Sequence, residues 1–567
     1  MMLFDTRRLT CQLFAFVLLL SGMATVAAQT RDAEYSDWPE KTRISGRVIV
    51  SNGLQEHAGM DRLLSRIAES KKVVVIADKI QGEGTWWRRQ LKGAVGSEGQ
   101  FGVINVLFSS DVKVPPTVTV DNLPVLLGDR FQLLNEADCV LVESAAKIPH
   151  EIVMKLVGQA DTVVLEGNQG VKAGKQSMKF VGVELASAGW NLIPDTVIAF
   201  STSPLKTDLQ DRVLKFAATY GPLVGLVVPE GTGVMLSGRR LTCLGSGKVT
   251  ALVPKSEVSA EYRQQISGTG SRRRPLSRSV IDLTQWRRLA IDRELPQFPP
   301  EKPPVPNVEA GTLLIVGGGR SPRGLMNRFV ELAGGAKQAK LVYVPCSQDD
   351  EVSARQSVVA AWKRMGVQHA RFIHTKDRHK ADTDPEFLAS LKDATGLYFG
   401  GGRQWNFADS YYGTTAHRLM KDVLKRGGVI AGSSAGASIQ ARYLARSTPI
   451  GNFDIMAPGY ERGGLGFIGG VAIDQHFSQR GRQKDMAKLM KTYPQLLGIG
   501  LDEGTAIEVK ESTAKVSGNG RAFFYSSADR GEGSETDSVD AAFVALPAGS
   551  IYNLADRTVV VNAADGS

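Results

Sequence analysis

Short apolar segments and longer amphipathic segments alternate along most of the chain. Apolar runs lie at residues 48–50, 73–77 and 313–316, and residues 60–68 and 325–333 have the apolar spacing that is typical of helices. Runs this short and this uniformly apolar predict strands that are buried on both faces, as in parallel sheets. The alternation therefore predicts an α/β fold of doubly wound domains, with mostly parallel sheets and helices on both faces.

The order of these segments repeats in the two halves of the chain. Residues 219–232 resemble residues 492–505, and residues 280–283 resemble residues 551–554 at a nearly equal offset. A repeat this long predicts two tandem domains, residues 44–292 and 308–567. The proline-rich residues 293–307 between them disfavour helix and central strand, and they predict a stiff, extended linker.

The N-terminus has the composition of a secretory signal. Arg7 and Arg8 precede an apolar run at residues 13–20, and the small residues 26–28 offer a cleavage site. The run is short for an uncleaved membrane anchor, which is the alternative interpretation. We expect residues 1–28 to be a signal peptide and the protein to be exported, either to the periplasm or outside the cell.

Charge and cysteine content argue against several partners. The net charge is +10, but basic residues are scattered, and the dense cluster at residues 272–274 has no nucleic-acid-binding motif beside it. Cys139, Cys243 and Cys346 lie in or beside apolar runs, without the spacing of a metal site or a disulfide framework. We expect no nucleic-acid partner, no metal and no cofactor.

Residues 432–436 have the pattern G-x-S-x-G between an apolar run and a helix-like segment. This context is that of a nucleophile elbow, in which a tight turn exposes the serine hydroxyl over the end of a sheet. Ser434 is then a candidate nucleophile, and the Ala435 N–H a candidate donor to an oxyanion. The alternative is a turn of small residues without chemistry.

A serine nucleophile needs a base and a group that orients the base. Of seven histidines, His476 follows a predicted strand and begins a polar loop, where doubly wound sheets place their sites. Asp502 and Glu503 end the next predicted strand, and either could orient His476. Asp474 is too close to His476 in sequence to be the obvious partner. The alternatives are a loop histidine bonded to backbone and a solvated acidic turn.

Two glycine runs follow predicted strands, at residues 317–319 and 400–402. Neither is followed by the lysine and hydroxyl residue of a phosphate-binding loop, and no dinucleotide fingerprint is present. The N–H groups of Gly401 and Gly402 could instead face the carbonyl oxygen beside Ala435. The run 317–319 is left without a predicted role.

Residues 432–437, residues 474–477 with Arg480 and Arg482, and residues 502–507 together resemble the cyanophycinase family of serine peptidases, the S51 group, which also contains dipeptidase E. The resemblance covers roughly residues 308–560. It implies that Ser434 is the nucleophile, His476 the base and Glu503 its orienter. It also implies a fold like that of class I glutamine amidotransferase domains, and cleavage of poly-aspartate whose side chains carry arginine.

The resemblance further implies a substrate pocket, whose expected members are Gln404, Asp474, Gln475, Arg480 and Arg482. Two positions depart from the family pattern. Asp485 stands where an arginine is common, which reverses the local charge, and Arg403 stands where a smaller or acidic residue is common. These departures concern the substrate more than the peptidase chemistry.

The first half is similar to a degenerate copy of the second. Gln169 stands where the elbow serine would be, and there is no histidine between His150 and His369. Glu230 matches Glu503, but a carboxylate alone cannot carry out acyl transfer. We expect a non-catalytic domain that substitutes for a second subunit, so that one chain forms a pseudo-dimer.

The sequence thus predicts a secreted serine peptidase of cyanophycinase type, which hydrolyses cyanophycin or related β-aspartyl or acidic peptides. One alternative is an esterase or amidase with the same triad. Another is a binding protein that has lost catalytic activity.

Overall fold

The computed structural model describes residues 192–201, 207–245, 247–267, 279–450, 454–526 and 543–564, together with seven strands between residues 47 and 188. The chain divides into two units by its internal contacts. One contains residues 40–300 with 448–460, and the other contains residues 301–447 and 461–567. The division after residue 300 falls inside the predicted linker.

The first unit contains an eight-stranded and a six-stranded sheet, with strand orders β14-β11-β10-β1-β5-β4-β2-β3 and β13-β12-β9-β8-β6-β7. Its strands are β1 (Arg47–Asn52), β2 (Lys72–Ala77), β3 (Gln100–Asn105), β4 (Cys139–Val142), β5 (Thr162–Glu166), β6 (Gln176–Val181), β7 (Val183–Ala188), β8 (Thr196–Ser201), β9 (Val224–Pro229), β10 (Thr232–Ser237), β11 (Arg240–Gly245), β12 (Lys248–Val253), β13 (Tyr262–Ser267) and β14 (Val280–Asp282). Its described helices are α1 (Thr207–Thr219) and α2 (Leu283–Asp292).

The second unit contains a nine-stranded sheet, β17-β16-β18-β19-β15-β23-β24-β27-β28, and a five-stranded sheet, β20-β21-β22-β25-β26. Its strands are β15 (Val308–Val316), β16 (Lys340–Val344), β17 (His369–Phe372), β18 (Gly396–Phe399), β19 (Val429–Ser433), β20 (Ala441–Tyr443), β21 (Ile468–Gln475), β22 (Leu497–Leu501), β23 (Thr505–Glu511), β24 (Thr513–Gly518), β25 (Ala522–Tyr525), β26 (Phe543–Leu546), β27 (Ile551–Asn553) and β28 (Thr558–Val561). Its helices are α3 (Leu325–Leu332), α4 (Gly335–Gln338), α5 (Ser357–Arg364), α6 (Arg378–Thr383), α7 (Pro385–Lys392), α8 (Trp405–Tyr411), α9 (Thr415–Lys425), α10 (Ala435–Ser438) and α11 (Gln483–Thr492).

The expected α/β class is confirmed, with sheets that are mixed. Strands β17, β16, β18, β19 and β15 run parallel, and β23, β24, β27 and β28 extend the same sheet in antiparallel pairs. Strands β20, β21 and β22 are parallel, and β25 and β26 are antiparallel additions. The carboxyl ends of parallel strands meet at one edge, where α/β sheets place their sites.

The core of the second unit explains why its strand sequences are continuously apolar. Phe329 of α3 stacks on Trp362 of α5 at 5.6 Å between ring centroids, and Tyr398 of β18 meets both rings edge-on. These side chains and their neighbours from β15 and β19 are buried in one cluster. A strand that is covered by helices has no polar face to show.

Several sequence predictions lie outside the described residues. They are the signal peptide at residues 1–28, the Gln169 turn, His150 and the basic cluster at 272–274. Among the residues that are described, no helix is long and apolar enough to cross a membrane.

Candidate active site

Ser434 occupies the sharp turn between β19 and α10. Its backbone has φ 57° and ψ −115°, a conformation that residues with a side chain rarely adopt. The flanking glycines make the turn sterically feasible. A Cβ added at Gly432 would lie 2.1 Å from the Gly436 carbonyl oxygen, and one at Gly436 would lie 2.1 Å from the Phe399 carbonyl oxygen. The strand–turn–helix context predicted for residues 432–436 is therefore present, with its strained residue at the centre.

His476 lies directly after β21 and faces the serine. The distance from Ser434 Oγ to His476 Nε2 is 2.9 Å. The imidazole is almost fully buried, and its backbone also has a positive φ of 50°. The His476 N–H donates to the Gly317 carbonyl at 2.7 Å, which fixes the loop to the end of β15. The structure thus brings together two residues that are 42 positions apart in the sequence.

The carboxylate in contact with the imidazole is that of Glu503. Its Oε1 lies 2.5 Å from His476 Nδ1. The carboxylate of Asp502 bonds other residues. Its Oδ1 accepts from the backbone N–H and the hydroxyl of Ser478, and its Oδ2 accepts from the Arg521 backbone N–H. Of the two acids that spacing left open, Glu503 is thus the one that the structure places against the imidazole.

The glycine run at residues 317–319, which had no predicted role, forms the surface against which the imidazole packs. A Cβ added at Gly318 would lie 2.3 Å from Cε1 of His476 and 2.6 Å from Nε2. The Gly318 carbonyl accepts from the Gly504 N–H at 2.9 Å, beside Glu503. The sequence signal for this role is a glycine run at a strand end without a phosphate-binding motif.

Gly318→Ala is expected to lower kcat by about 100-fold, because displacing a reacting group by roughly an ångström can cost that much. The added methyl would overlap the imidazole, and the φ of +109° adds backbone strain. Gly324→Ala is the matched control, since Gly324 has φ +81° and no atom within 4 Å of an added Cβ. We expect the control to lose only stability. Equal activity losses in the two variants would contradict the packing role.

Three backbone N–H groups, two in the 401–402 turn and one directly after Ser434, are the candidate donors to an oxyanion. Those of Gly401, Gly402 and Ala435 donate to no acceptor within the described part of the chain. A Cβ added at Gly401 would lie 3.5 Å from Cβ of Ser434, so the glycine turn borders the serine. Unpaired donors of this kind can bind an oxygen that becomes negative during reaction.

The pKa of His476 is lowered from its ordinary value, chiefly because burial disfavours the charged imidazole. The hydrogen bond that the imidazole donates to Glu503 opposes this effect, and the charges of Arg480 and Arg482 lower the pKa further. The imidazole is therefore neutral at neutral pH. In the tautomer that matches the contacts, Nδ1–H donates to Glu503 and Nε2 accepts the hydroxyl proton of Ser434.

Arg480→Gln is expected to move the acid limb of the reaction to higher pH. Removing a positive charge raises the His476 pKa, so the neutral base is lost at a higher pH as acid is added. The measurement is the rate of labelling by an uncharged fluorophosphonate across pH. This rate falls as His476 becomes protonated, and it does not depend on binding of a charged substrate by Arg480. Arg364→Gln, an exposed change on α5, is the control. An unshifted limb in Arg480→Gln would contradict the electrostatic coupling.

Two of the predicted pocket residues, Asp474 and Arg482, form a buried ion pair with each other. Asp474 is fully buried and accepts from Nε of Arg446 at 2.8 Å and from Nη1 of Arg482 at 2.7 Å. Arg482 also donates to the Gln475 carbonyl at 2.6 Å. Asp485, the position that departs from the family pattern, accepts from Nη2 of Arg446 at 2.5 Å. Arg446 was missed from the sequence, because nothing near it indicates this pairing.

The other predicted pocket residues, Gln404, Gln475 and Arg480, each have a polar group without a protein partner among the described residues. Nε2 of Gln404 donates to the carbonyls of Ala445 and Arg446 at 2.8 and 2.7 Å. Oε1 of Gln404 and Oε1 of Gln475 are both buried, without a hydrogen-bond partner in the described residues. The guanidinium of Arg480 is exposed and forms no ion pair with any described residue.

The remaining histidines and carboxylates do not assemble a second centre among the described residues. No group of three or more His, Cys, Asp or Glu side chains is placed there to hold a metal ion. His374 Nε2 lies 2.8 Å from the Asp349 carbonyl oxygen, and His379 Nε2 lies 3.3 Å from the Thr383 hydroxyl within α6. Glu230, in the first unit, is exposed.

An α/β sheet that presents a serine elbow, a neutral imidazole and a carboxylate in one hydrogen-bonded line defines a serine-type hydrolase. Residues 313–517 match the model of peptidase family S51. The part of the chain that contains Ser434, His476 and Glu503 is therefore similar to a family of serine-type peptidases.

Known relatives align with the same half. The cyanophycinase of Geminocystis herdmanii is 26% identical over 214 residues, which span 37% of this chain and 78% of that protein. The cyanophycinase of Trichormus variabilis is 25% identical over 225 residues, which span 38% of this chain and 73% of that protein. Among solved structures, a peptidase from an acI-B1 actinobacterium matches with a TM-score of 0.32 and 22% identity, over 43% of this chain and 97% of that one.

Proposed function

We propose that the protein hydrolyses β-aspartyl or other acidic peptides, cyanophycin among them, through an acyl-enzyme on Ser434. The unbroken line from Ser434 through His476 to Glu503 carries the proposal, with distances of 2.9 and 2.5 Å. The proposed substrate class is supported by the relatives, which are cyanophycinases, and by the exposed guanidinium of Arg480 near the imidazole.

The chemistry follows from the geometry. Ser434 Oγ attacks the scissile carbonyl carbon while its proton moves to Nε2 of His476. The oxygen, now negative, is stabilised by the N–H groups of Ala435 and the 401–402 turn. The carbon–nitrogen bond breaks, the leaving amine takes the proton from Nε2, and the acyl group stays on Oγ. Water then attacks the ester carbon and gives a proton to Nε2. The carbon–Oγ bond breaks, Oγ takes that proton from Nε2, and the acid is released.

The proposed pocket combines one cationic group with neutral amides. Because Arg446 and Arg482 are paired with Asp474 and Asp485, Arg480 is the arginine that we expect to bind a substrate carboxylate. The buried Oε1 atoms of Gln404 and Gln475 are acceptors for substrate N–H groups. A hydrogen-bonding pocket of this kind would discriminate between isomers that place their amide groups differently.

Product masses test the proposal directly. The purified full-length protein is incubated with cyanophycin, β-aspartyl dipeptides, the matching α-aspartyl dipeptides and simple esters. We expect β-aspartyl dipeptides to be released from cyanophycin, and β-linked compounds to be cleaved faster than their α isomers. Ester hydrolysis without peptide hydrolysis would replace this proposal with an esterase. No turnover of any compound would favour a binding protein.

We also propose that the first half is non-catalytic, that the chain is a pseudo-dimer and that residues 1–28 direct export. The support is the absence of a matching serine and histidine in the first half and the composition of the N-terminus. Light scattering of the full chain is expected to give the mass of one chain, and N-terminal sequencing of the exported protein to begin near residue 29. A dimer or an intact N-terminus would contradict the respective part.

A further inference from the structure

A buried lysine lies beneath the glycine turn that borders Ser434. Lys376 is 3% exposed, and its ammonium donates to the carbonyls of Ser347 and Asn406 at 3.2 and 3.0 Å and to Oδ1 of Asn406 at 3.3 Å. We propose that Lys376 is a positioning residue that holds the turn at residues 400–402 in the geometry needed to bind the oxyanion. This inference rests on the proposed acyl-enzyme function.

The acceptors of Lys376 belong to the two segments that flank the turn. Ser347 lies in the loop after β16, and Asn406 lies in the first turn of α8. One ammonium therefore ties together two segments that are distant in sequence. Hydrogen bonds from a charged donor are about twice as strong as those between neutral groups, and such bonds are weakened little by water at a buried site.

The glycine turn itself is packed between these two segments. The Gly400 N–H donates to the Val344 carbonyl at 3.0 Å, so the turn begins on the end of β16. A Cβ added at Gly402 would lie 2.9 Å from the Cys346 carbonyl oxygen, so the turn continues in close contact with the same segment. A shift of residues 344–347 relative to α8 would thus move the N–H groups of the turn.

Further contacts join the turn to the lysine's acceptors. The Arg403 carbonyl accepts from the Cys346 thiol at 3.0 Å and from the Asn406 N–H at 3.0 Å. Burial raises the pKa of the Cys346 thiol to about 12, so the thiol stays protonated and remains a donor here. The turn is therefore fixed at its start by the end of β16 and at its end by the hydrogen bonds to the Arg403 carbonyl. Lys376 connects the loop after β16 to α8, the two segments that make these contacts.

An ammonium is suited to this position for a physical reason. Burying a charge is costly unless hydrogen bonds satisfy it, and these carbonyl and amide oxygens supply them. A methionine of similar length would fill the space but would leave the same oxygens buried without their donor. The expected consequence is a looser turn. The N–H groups of the turn bind the oxyanion, which forms only in the transition state. A looser turn therefore weakens binding of the transition state more than binding of the substrate.

The test compares Lys376→Met with Lys380→Met, which removes an exposed lysine from the neighbouring helix α6. We expect Lys376→Met to lower kcat by about 10- to 100-fold, below the effect of deleting an oxyanion donor outright. KM should stay within about threefold, and a peptide boronic acid, whose adduct carries the tetrahedral oxyanion, should bind weaker by the same factor as kcat/KM falls. Lys380→Met should match the wild type in each measurement.

Asn406→Ala is the second variant, because it removes one acceptor and leaves Lys376 in place. It should show the same division between kcat and KM with a smaller loss, and it carries the test if Lys376→Met does not fold. Activity is expressed per folded molecule at a temperature below the unfolding transition. The proposal is overturned if kcat per folded molecule is unchanged, or if KM rises while boronate affinity holds. Failure of the acyl-enzyme itself would show separately, as full activity in Ser434→Ala.

Discussion

Ser434→Ala is expected to lower kcat by about 10⁴- to 10⁶-fold, the range found when the nucleophile of a serine hydrolase is removed. The hydroxyl is the group that would form the acyl bond, and its proton acceptor lies 2.9 Å away. Labelling by a fluorophosphonate should disappear together with turnover. Both measurements are needed, because labelling reports the nucleophile and turnover reports the complete site.

Ser433→Ala provides the matched control. Ser433 is the preceding residue, at the end of β19, and its hydroxyl has no hydrogen bond to the His476 imidazole. We expect this variant to keep its labelling and to change kcat by less than about threefold. Substantial labelling or turnover in Ser434→Ala would disprove the nucleophile assignment. Residual hydrolysis at a similar KM would further indicate a second site in the chain.

The strand–turn–helix at the centre of the site could be predicted because its pattern is local. An apolar strand, a small-residue turn and a helix start are encoded within about a dozen consecutive residues, and the steric demands at Gly432 and Gly436 leave few alternatives. His476 could be proposed because few histidines exist and only this one follows a predicted strand close to a suitable acid. The α/β class was predictable for the same reason, since burial on both faces is readable from short apolar runs.

Side-chain direction could not be predicted from the same patterns. Asp502 and Glu503 are adjacent after one strand, and the structure directs one toward Ser478 and the other toward His476. Consecutive residues near a strand end point in different directions. The position of the imidazole relative to these two acids is set by the glycine run after β15, which the local sequence around residues 502–503 does not reveal. The antiparallel strands that extend the sheet beyond β15 were also missing from the prediction, because short alternating segments do not reveal their pairing partners.

The network around Arg446 was inaccessible because its members are brought together by tertiary structure. Arg446 lies 28 residues before Asp474 and 39 before Asp485, and each separation is recognisable only after folding. The network changes how the sequence pattern is interpreted. Asp474 and Arg482 match a binding motif, yet their charges neutralise each other in the interior. Arg480 then becomes the more promising group for substrate recognition.

Glu503→Gln is expected to lower kcat by about 10²- to 10⁴-fold, because the carboxylate both orients the imidazole and stabilises its charged form. The lower end of this range applies if water replaces part of the carboxylate's role, since the Glu503 side chain is 41% exposed. The acid limb should move to lower pH. Glu503 raises the His476 pKa through its hydrogen bond, so removing the carboxylate lowers that pKa and keeps the imidazole neutral further into acid. This shift is opposite to the one expected for Arg480→Gln.

Asp502→Asn separates the two adjacent acids in the same assay. Its carboxylate holds the loop through Ser478 and Arg521, so we expect its loss to lower the melting temperature while kcat per folded molecule changes by less than about tenfold. The pH profile should keep its acid limb, because Asp502 makes no contact with the imidazole. If Asp502→Asn abolished turnover and Glu503→Gln left it intact, the orienting role would belong to Asp502. The 2.5 Å contact between Glu503 and His476 would then not be the one that supports catalysis.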